Sequence, residues 1–118
     1  MSANAVTPPG WHTVTPRIVA EGAERCVAFV KDVFGAAGDY QATRPTELQL
    51  GDSMLMIGEG ADTGGGVMRV RPMALHVFVK DVDATFNRAV AAGATSMGEP
   101  TDRHYGERSG FVDRKSVV

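Results

Sequence analysis

The stretch ALHVFVKDVDATFNRAVAAGA, residues 74–94, decides the fold because it contains the signals of a strand, a helix cap and a helix in order. Over residues 74–80, Leu75, Val77 and Val79 alternate with Ala74, His76 and Phe78, as expected of a β-strand whose two faces differ. Asp81 can accept hydrogen bonds from the free N–H groups of a following helix. An apolar stripe at helical spacing comes next, and Gly93 suits the left-handed conformation after a last helical turn. The stretch therefore predicts a β-α unit.

The same order of signals occurs earlier in the chain. A strand is predicted over residues 14–20, and a helix with one broad apolar face follows and ends at Gly35, as the later helix ends at Gly93. These two glycines lie 58 residues apart, a period too long for a solenoid of many short repeats. Short strand-like runs follow each copy, at residues 39–43, 46–50, 53–57 and 95–100. We therefore expect an α+β fold of two βαβββ modules that pair into one curved sheet.

The expected modules are separated by changes in composition. Residues 1–10 are interpreted as a flexible leader, residues 11–58 as the first module and residues 73–118 as the second. Residues 59–72 are rich in glycine and are interpreted as a linker, because no Lys-Ser or Lys-Thr pair and no helix follow them as a phosphate-binding loop requires. The second module has an atypical C-terminus and lacks the apolar run that would form its last strand.

Composition excludes several classes of function. The formal net charge of −2 provides no basic field for nucleic acid or for an acidic membrane surface. No apolar run approaches the roughly 20 residues that span a bilayer, and the first residues do not resemble a secretion signal. The single cysteine, Cys26, excludes a disulfide framework within the chain and lies on the predicted apolar face of the first helix. We expect a cytoplasmic protein that binds neither nucleic acid nor membranes.

Several short motifs in a fixed order resemble the vicinal oxygen chelate superfamily, and most closely the PhnB-like branch of its glyoxalase/bleomycin-resistance/dioxygenase group. The motifs that carry this resemblance are Thr13-Val14-Thr15-Pro16, Phe34-Gly35-Ala36, Leu50-Gly51-Asp52-Ser53, Asp81-Val82-Asp83-Ala84, Ala92-Gly93-Ala94 and Tyr105-Gly106-Glu107-Arg108-Ser109-Gly110. The resemblance covers about residues 11–112. It implies a cup-shaped, mostly antiparallel sheet that holds a small ligand, with helices outside, and it implies a homodimer.

The resemblance also implies a set of metal ligands in those members that use a metal. Such members take four ligands, usually His and Glu, from an early and a late strand of each module. At three of these positions the chain has Thr15, then Met54 or Met56, and then Ala74, with His76 two residues further on. The fourth ligand would come from the last strand of the second module. We therefore predict no cofactor. If a divalent metal binds, His76 and Glu47 are its predicted ligands.

Side chains on the predicted concave face are the candidates for binding a small molecule. The candidate ligand-binding residues are His76, Phe78, Thr15, Arg17, Glu47, Gln49, Met54, Met56, Tyr105 and Arg108. His76 is the best single candidate for chemistry, although a hydrogen-bonded histidine within a sheet has the same pattern. Glu47 and Gln49 either face the pocket or face water, and the methionines either contact a ligand or fill the core. Tyr105 and Arg108 lie in a turn that either borders the pocket or is only structural.

Three hypotheses about function remain open at this stage. The first is a metal-free protein that encloses an apolar or aromatic small molecule in the concave sheet, as a resistance or sequestration protein does. The second is a metal-dependent lyase, isomerase or dioxygenase of the same superfamily. The third is an inactive dimer that exchanges strands between chains. Catalytic residues are not assigned, because no Ser-His-Asp or Cys-His arrangement can be argued from the sequence.

Overall fold

The computed structural model describes residues 7–60, 70 and 73–114. Its elements in chain order are β1 (Arg17–Ala20), α1 (Ala23–Phe34), β2 (Thr46–Leu50), β3 (Ser53–Glu59), α2 (Val82–Ala91), β4 (Thr95–Asp102) and β5 (Arg108–Asp113). The expected mixed α+β class is confirmed. Most of the predicted leader and glycine-rich linker, Met68 and the last four residues lie outside the described residues.

The chain divides into two compact units, which are described separately. The first unit contains residues 1–31 and 35–73, and the second contains residues 32–34 and 74–118. In the first unit, β3 is the central strand of a three-stranded sheet in the order β1-β3-β2. β1 runs parallel to β3, and β2 runs antiparallel to it after the tight turn at Gly51. The predicted hairpin is therefore confirmed.

The first unit buries one face of its sheet and one face of α1. Leu48, Leu55 and Ile57 alternate with exposed or half-buried side chains along β2 and β3, as the period of a strand requires. In the part of α1 that belongs to this unit, Cys26, Val27, Phe29 and Val30 are buried at helical spacing. Cys26 is thus a buried free thiol, as its position on the apolar face predicted.

A residue from β3 caps the beginning of α1. The N-cap is Gly22, which has a left-handed conformation (φ 80°) and no side chain with which to accept a hydrogen bond. The carboxylate of Glu59, at the end of β3, instead accepts from the backbone N–H groups of Gly22 (2.9 Å) and Ala23 (2.8 Å). Because the free N–H groups of a helix need acceptors, this contact joins the helix to the sheet.

Two predicted features of the first unit are wrong. Residues 39–43 form no strand; Ala37 makes an isolated bridge to Gln49, and the backbone N–H of Gln41 donates to the hydroxyl of Thr46 rather than to a neighbouring strand. Such local side-chain acceptors compete with ladder hydrogen bonds. The first strand begins at Arg17 rather than at residue 14, and Val14 is 81% exposed because it precedes the paired part of the chain.

In the second unit, α2 packs against a two-stranded antiparallel sheet formed by β4 and β5. The side chain of Asp81 accepts a hydrogen bond from the backbone N–H of Ala84, which confirms the predicted cap. The ring of Phe86 lies so close to the backbone of Gly110 that an added Cβ would be 3.1 Å from ring atom Cδ2. Within this unit Arg88 also donates to the carbonyl oxygen of Val33. Neither helix of the described chain is long and apolar enough to cross a membrane.

The strand predicted over residues 74–80 is not formed. These residues make no strand pairing and no backbone hydrogen bond with another described residue. A strand needs a neighbouring strand for its backbone hydrogen bonds. In the first unit, the first strand, β1, has such a neighbour in the last strand of the same unit, β3. No described strand of the second unit takes the corresponding place beside residues 74–80. The side chains still alternate in burial, with Val77 and Val79 less exposed than His76 and Phe78.

Candidate functional site

The face of the first-unit sheet opposite its buried residues carries five of the predicted site residues. Register places Arg17, Met56 and Glu47 side by side in one row across β1, β3 and β2. Gln49 lies opposite Met54 in the next row. Neighbouring strands are about 4.8 Å apart, so the first row spans about 10 Å between its outer Cα atoms. We name this set, Arg17, Glu47, Gln49, Met54 and Met56, the methionine face.

The methionine face has an apolar centre and a polar border. Met54 and Met56 are half-buried on the central strand, whereas Arg17, Glu47 and Gln49 are exposed on the outer strands. A guanidinium and a carboxylate therefore lie on opposite sides of two flexible thioether side chains. Methionine adapts its shape to irregular apolar surfaces, and flanking polar groups can orient what it contacts. Thr15 is half-buried just before β1, beside Pro16, whose carbonyl oxygen accepts from the N–H of Met56.

The other predicted site residues lie in the second unit. The His76 side chain is 61% exposed, and its Nε2 atom is 3.5 Å from Oε1 of Glu107. The His76 ring also contacts the ring of Phe78, with centroids 4.7 Å apart. Phe78 is 83% exposed. The structure therefore gives His76 an acidic neighbour, Glu107, that was not among the candidates from the sequence.

Tyr105 and Arg108 belong to the hairpin between β4 and β5. Tyr105 is exposed and packs edge-to-face against His104. Arg108 donates two hydrogen bonds to the carboxylate of Asp83, of 2.9 and 3.1 Å, and a third of 3.1 Å to Asp102. The hydrogen bonds to Asp83, which have the largest effect, and to Asp102 raise the pKa of Arg108. The hydrogen bond from Arg108 in turn lowers the pKa of Asp83. The guanidinium of Arg108 thus ties the hairpin to the first turn of α2.

The hairpin itself is held by a second arginine. Arg103 donates to both the hydroxyl (2.8 Å) and the carbonyl oxygen (3.1 Å) of Ser109, and its guanidinium lies 5.4 Å from the ring centroid of Phe111. The sequence analysis did not identify Arg103 as a partner of Ser109, or Asp83 as a partner of Arg108. Only the hydrogen bonds in the structure identify these two pairs.

The donor chemistry of the described residues does not fit a divalent metal of the kind the resemblance implies. At the three ligand positions that the resemblance implies, the chain has the hydroxyl of Thr15, the thioether of Met54 or Met56, and the methyl group of Ala74, where imidazole and carboxylate ligands are required. No group of three or more His, Cys, Asp or Glu side chains among residues 7–60, 70 and 73–114 could hold a metal ion.

The fold and these sites define a small α+β protein with an exposed, methionine-centred face on its first sheet. The family model of the Glyoxalase/Bleomycin resistance protein/Dioxygenase superfamily matches residues 12–116. The chain therefore belongs to this superfamily, as the sequence motifs indicated.

The chain is also similar to curated relatives and to solved structures. An uncharacterized protein of Mycobacterium tuberculosis is 46% identical over 41 residues, which is 35% of this chain and 24% of that protein. The match thus spans only about a quarter of the relative's length. A glyoxalase-related enzyme from Fulvimarina pelagi has a TM-score of 0.70 and 19% identity, with 89% of this chain and 82% of that chain covered.

A fosfomycin resistance protein is also similar in fold. The FosX protein of Listeria monocytogenes, solved as an E126Q mutant with Mn(II) and 1S,2S-dihydroxypropylphosphonic acid, has a TM-score of 0.61 and 18% identity. The match covers 86% of this chain and 79% of that chain. At this identity the likeness shows a common fold. The superfamily includes members that bind a metal, and it also includes proteins named for drug resistance.

Proposed function

We propose that this protein binds a small apolar or aromatic molecule on the methionine face, without a metal, and acts by sequestering that molecule. The observation that carries the proposal is the row formed by Arg17, Met56 and Glu47, in which a polarizable apolar side chain lies between two opposite charges. Burial of apolar area on Met54 and Met56 supplies the affinity, and the charged groups orient the ligand. Enclosure by a cup-shaped sheet of two paired modules is part of this proposal.

The donor set supports binding rather than metal-assisted chemistry. Thioether sulfur is a soft ligand that suits Cu(I) better than the harder divalent metals, and it provides neither a general base nor a nucleophile. The residues of the methionine face are thus suited to contact a ligand and not to transfer protons from it. Catalytic residues are accordingly not proposed for this face.

A fluorescence titration with anilinonaphthalene sulfonate tests the proposal, because this aromatic anion brightens when it enters an apolar site. We expect saturable binding that Met56→Lys weakens by about tenfold, or about 1.4 kcal/mol. Met97→Lys is the matched control, since Met97 is also on a strand but lies in the second unit and is 65% exposed. Equal loss of binding in both variants, or dye binding that does not saturate, would contradict the proposal.

A metal-dependent lyase, isomerase or dioxygenase is the alternative, and the pairing of His76 with Glu107 is the observation that favours it. An imidazole and a carboxylate are ordinary ligands of divalent metals. Elemental analysis of protein purified without chelator separates the two functions. About one tightly bound ion per chain, lost in His76→Ala, would establish the alternative and overturn the metal-free proposal.

We further propose that the protein is a cytoplasmic homodimer whose partners are a small-molecule ligand and a second copy of itself. The net charge of −2 supports the exclusion of nucleic acid and acidic membranes as partners, because such partners attract basic surfaces. Exposed apolar side chains in the second unit, including Phe78 and Phe111, support self-association.

A further inference from the structure

The two charges of the methionine face lie at opposite ends of one row of side chains. Register aligns Arg17 of β1 with Met56 of β3, and Met56 with Glu47 of β2. Because neighbouring strands are about 4.8 Å apart, about 10 Å separates the Cα atoms of Arg17 and Glu47. We name these three residues the charged row. Its ends have opposite signs, and its centre is an uncharged thioether.

The rows on either side of the charged row contain no charged side chain among the paired residues that the structure describes. One of them contains Met54 and Gln49, and the other contains Val19 and Gly58. The remaining charged residue of these three strands, Glu59, instead caps α1. Within this sheet, the field over the centre of the methionine face therefore runs along the charged row.

Each end of the charged row can hold a ligand group of the opposite sign. The carboxylate of Glu47 is exposed and makes no hydrogen bond or ion pair with another residue that the structure describes. It can therefore accept hydrogen bonds from an ammonium group. The guanidinium of Arg17 has five N–H donors in a fixed arrangement, so it can bind a carboxylate of the ligand in addition to other acceptors.

The centre of the charged row suits an aromatic ring. Met54 and Met56 are two residues apart on β3, so their Cα atoms are about 7 Å apart on the same face. Thioether sulfur makes favourable contacts with aromatic rings, and the flexible methionine side chain adapts to a flat surface. A ring above Met56 can contact both sulfur atoms while its para substituents point along the charged row.

We propose that the ligand of the methionine face is a zwitterionic aromatic molecule, with its anionic group at Arg17, its ring over Met56 and its cationic group at Glu47. This inference rests on the proposed function and names the class of its ligand. A ligand with one charge satisfies one end of the row and places apolar atoms at the other, where a charge of the protein loses water without gaining a partner. A ligand with opposite charges at its two ends satisfies both.

Three para-substituted benzenes of similar size test this ligand class. 4-(Aminomethyl)benzoate carries both charges, 4-methylbenzoate carries only the negative charge, and 4-methylbenzylamine carries only the positive charge. At low salt we expect the zwitterion to bind about two- to fivefold more tightly than either analogue, which is the usual effect of one exposed charge pair. The NMR shift of the Met56 methyl group in methyl-labelled protein measures each affinity, and the methyl group of Met97 in the second unit should not shift.

Substitutions at the two ends should change this preference in different ways. Glu47→Gln should remove the advantage of the zwitterion over 4-methylbenzoate and keep its advantage over 4-methylbenzylamine, whereas Arg17→Gln should do the reverse. Arg17→Glu alone should abolish the preference, and adding Glu47→Arg should restore it with the ligand reversed, which a folding defect could not do. Glu24→Gln is the matched control, because Glu24 is exposed on α1 rather than on the sheet. It should leave all three affinities unchanged.

Each outcome bears on a different claim. Equal affinity of the wild type for the three benzenes, or a preference that both Glu47→Gln and Arg17→Gln leave intact, would overturn this inference. The proposed function would still stand in that case if anilinonaphthalene sulfonate binds saturably and Met56→Lys weakens its binding. Absence of saturable binding for all four probes would overturn both claims.

Discussion

Oε1 of Glu59 accepts a 2.8 Å hydrogen bond from the backbone N–H of Ala23, although the two residues are 36 positions apart in the chain. Its other oxygen, Oε2, accepts from the N–H of Gly22. The hydrogen bond from Ala23, which has the larger effect, and the one from Gly22 both lower the pKa of Glu59 from its ordinary value of 4.5. A residue of β3 thereby supplies the cap that α1 lacks, since its own N-cap residue is Gly22.

Replacing this cap should destabilise the first unit at neutral pH. We expect Glu59→Ala to lower the free energy of unfolding by about 1 kcal/mol, which is the usual effect of losing a helix cap. Urea denaturation measures the difference. Glu21→Gln, an exposed acid beside the same helix, serves as the control and should change stability little.

The effect of Glu59 should depend on pH with a definite sign. Because folding lowers its pKa, the stabilisation is fully present above the unfolded-state pKa near 4.5 and is lost as the pH falls through the lower folded-state value. Wild type and Glu59→Ala should therefore converge in stability at acid pH. A difference that stays constant from neutral to acid pH would contradict the carboxylate cap.

Gly38 should tolerate no side chain. Its φ of 138° is unfavourable for other residues, and a Cβ would lie 2.5 Å from the carbonyl oxygen of Glu47 and 2.8 Å from Cδ2 of Leu48. We expect Gly38→Ala to cost more than about 2 kcal/mol from backbone strain and overpacking together. Gly51→Ala is the matched control, because Gly51 also has positive φ but open space around it, and its cost should be about 1 kcal/mol. Equal costs measured by urea denaturation would rule out the close approach.

The ion pair between Arg108 and Asp83 should be visible in the titration of the carboxylate. Since Arg108 lowers the pKa of Asp83, the variant Arg108→Gln should return that pKa towards its ordinary value. Two-dimensional NMR titration of the aspartate carboxyl carbons measures the change. Arg103→Gln is the control, as its guanidinium bonds to Ser109 instead, and it should leave the titration of Asp83 unchanged.

The contribution of Asp83 to the stability of the fold should also depend on pH. A lowered folded-state pKa means that Asp83 stabilises the fold above its unfolded-state pKa and ceases to do so as the pH falls through the folded value. Amide hydrogen exchange in β5 should accelerate in Arg108→Gln at neutral pH and should be insensitive to that substitution in acid. Both groups are exposed, so high salt should weaken the effect.

The two charges that border the methionine face should act in opposite directions on an anionic ligand. Arg17→Gln is expected to weaken binding of anilinonaphthalene sulfonate by about two- to fivefold, and Glu47→Gln to strengthen it by a similar factor, as exposed charges contribute about 0.5–1 kcal/mol. Fluorescence titration at low salt measures both. If the two variants change affinity in the same direction, the sulfonate does not lie between these side chains.

Local signals predicted most of the regular structure. The apolar spacing of α1, the cap at Asp81 and the glycine at the hairpin turn each act over at most a few residues, and all three are present as expected. The register of the sheet places Arg17, Glu47 and Met56 on one face, a point that the sequence left open for Glu47 and Met56. Alternation alone, however, predicted a strand at residues 74–80 that is not formed, because a strand also needs a partner.

The sequence by itself determined the α+β class, the two helices and the hairpin of the first unit, since these depend on neighbours close in the chain. Only the tertiary structure decided which distant groups meet. Glu59 reaches α1 across 36 residues, Arg108 reaches Asp83 across 25, and Glu107 lies beside His76. The composition of a segment does not encode such pairings, because they depend on how the strands and helices pack together.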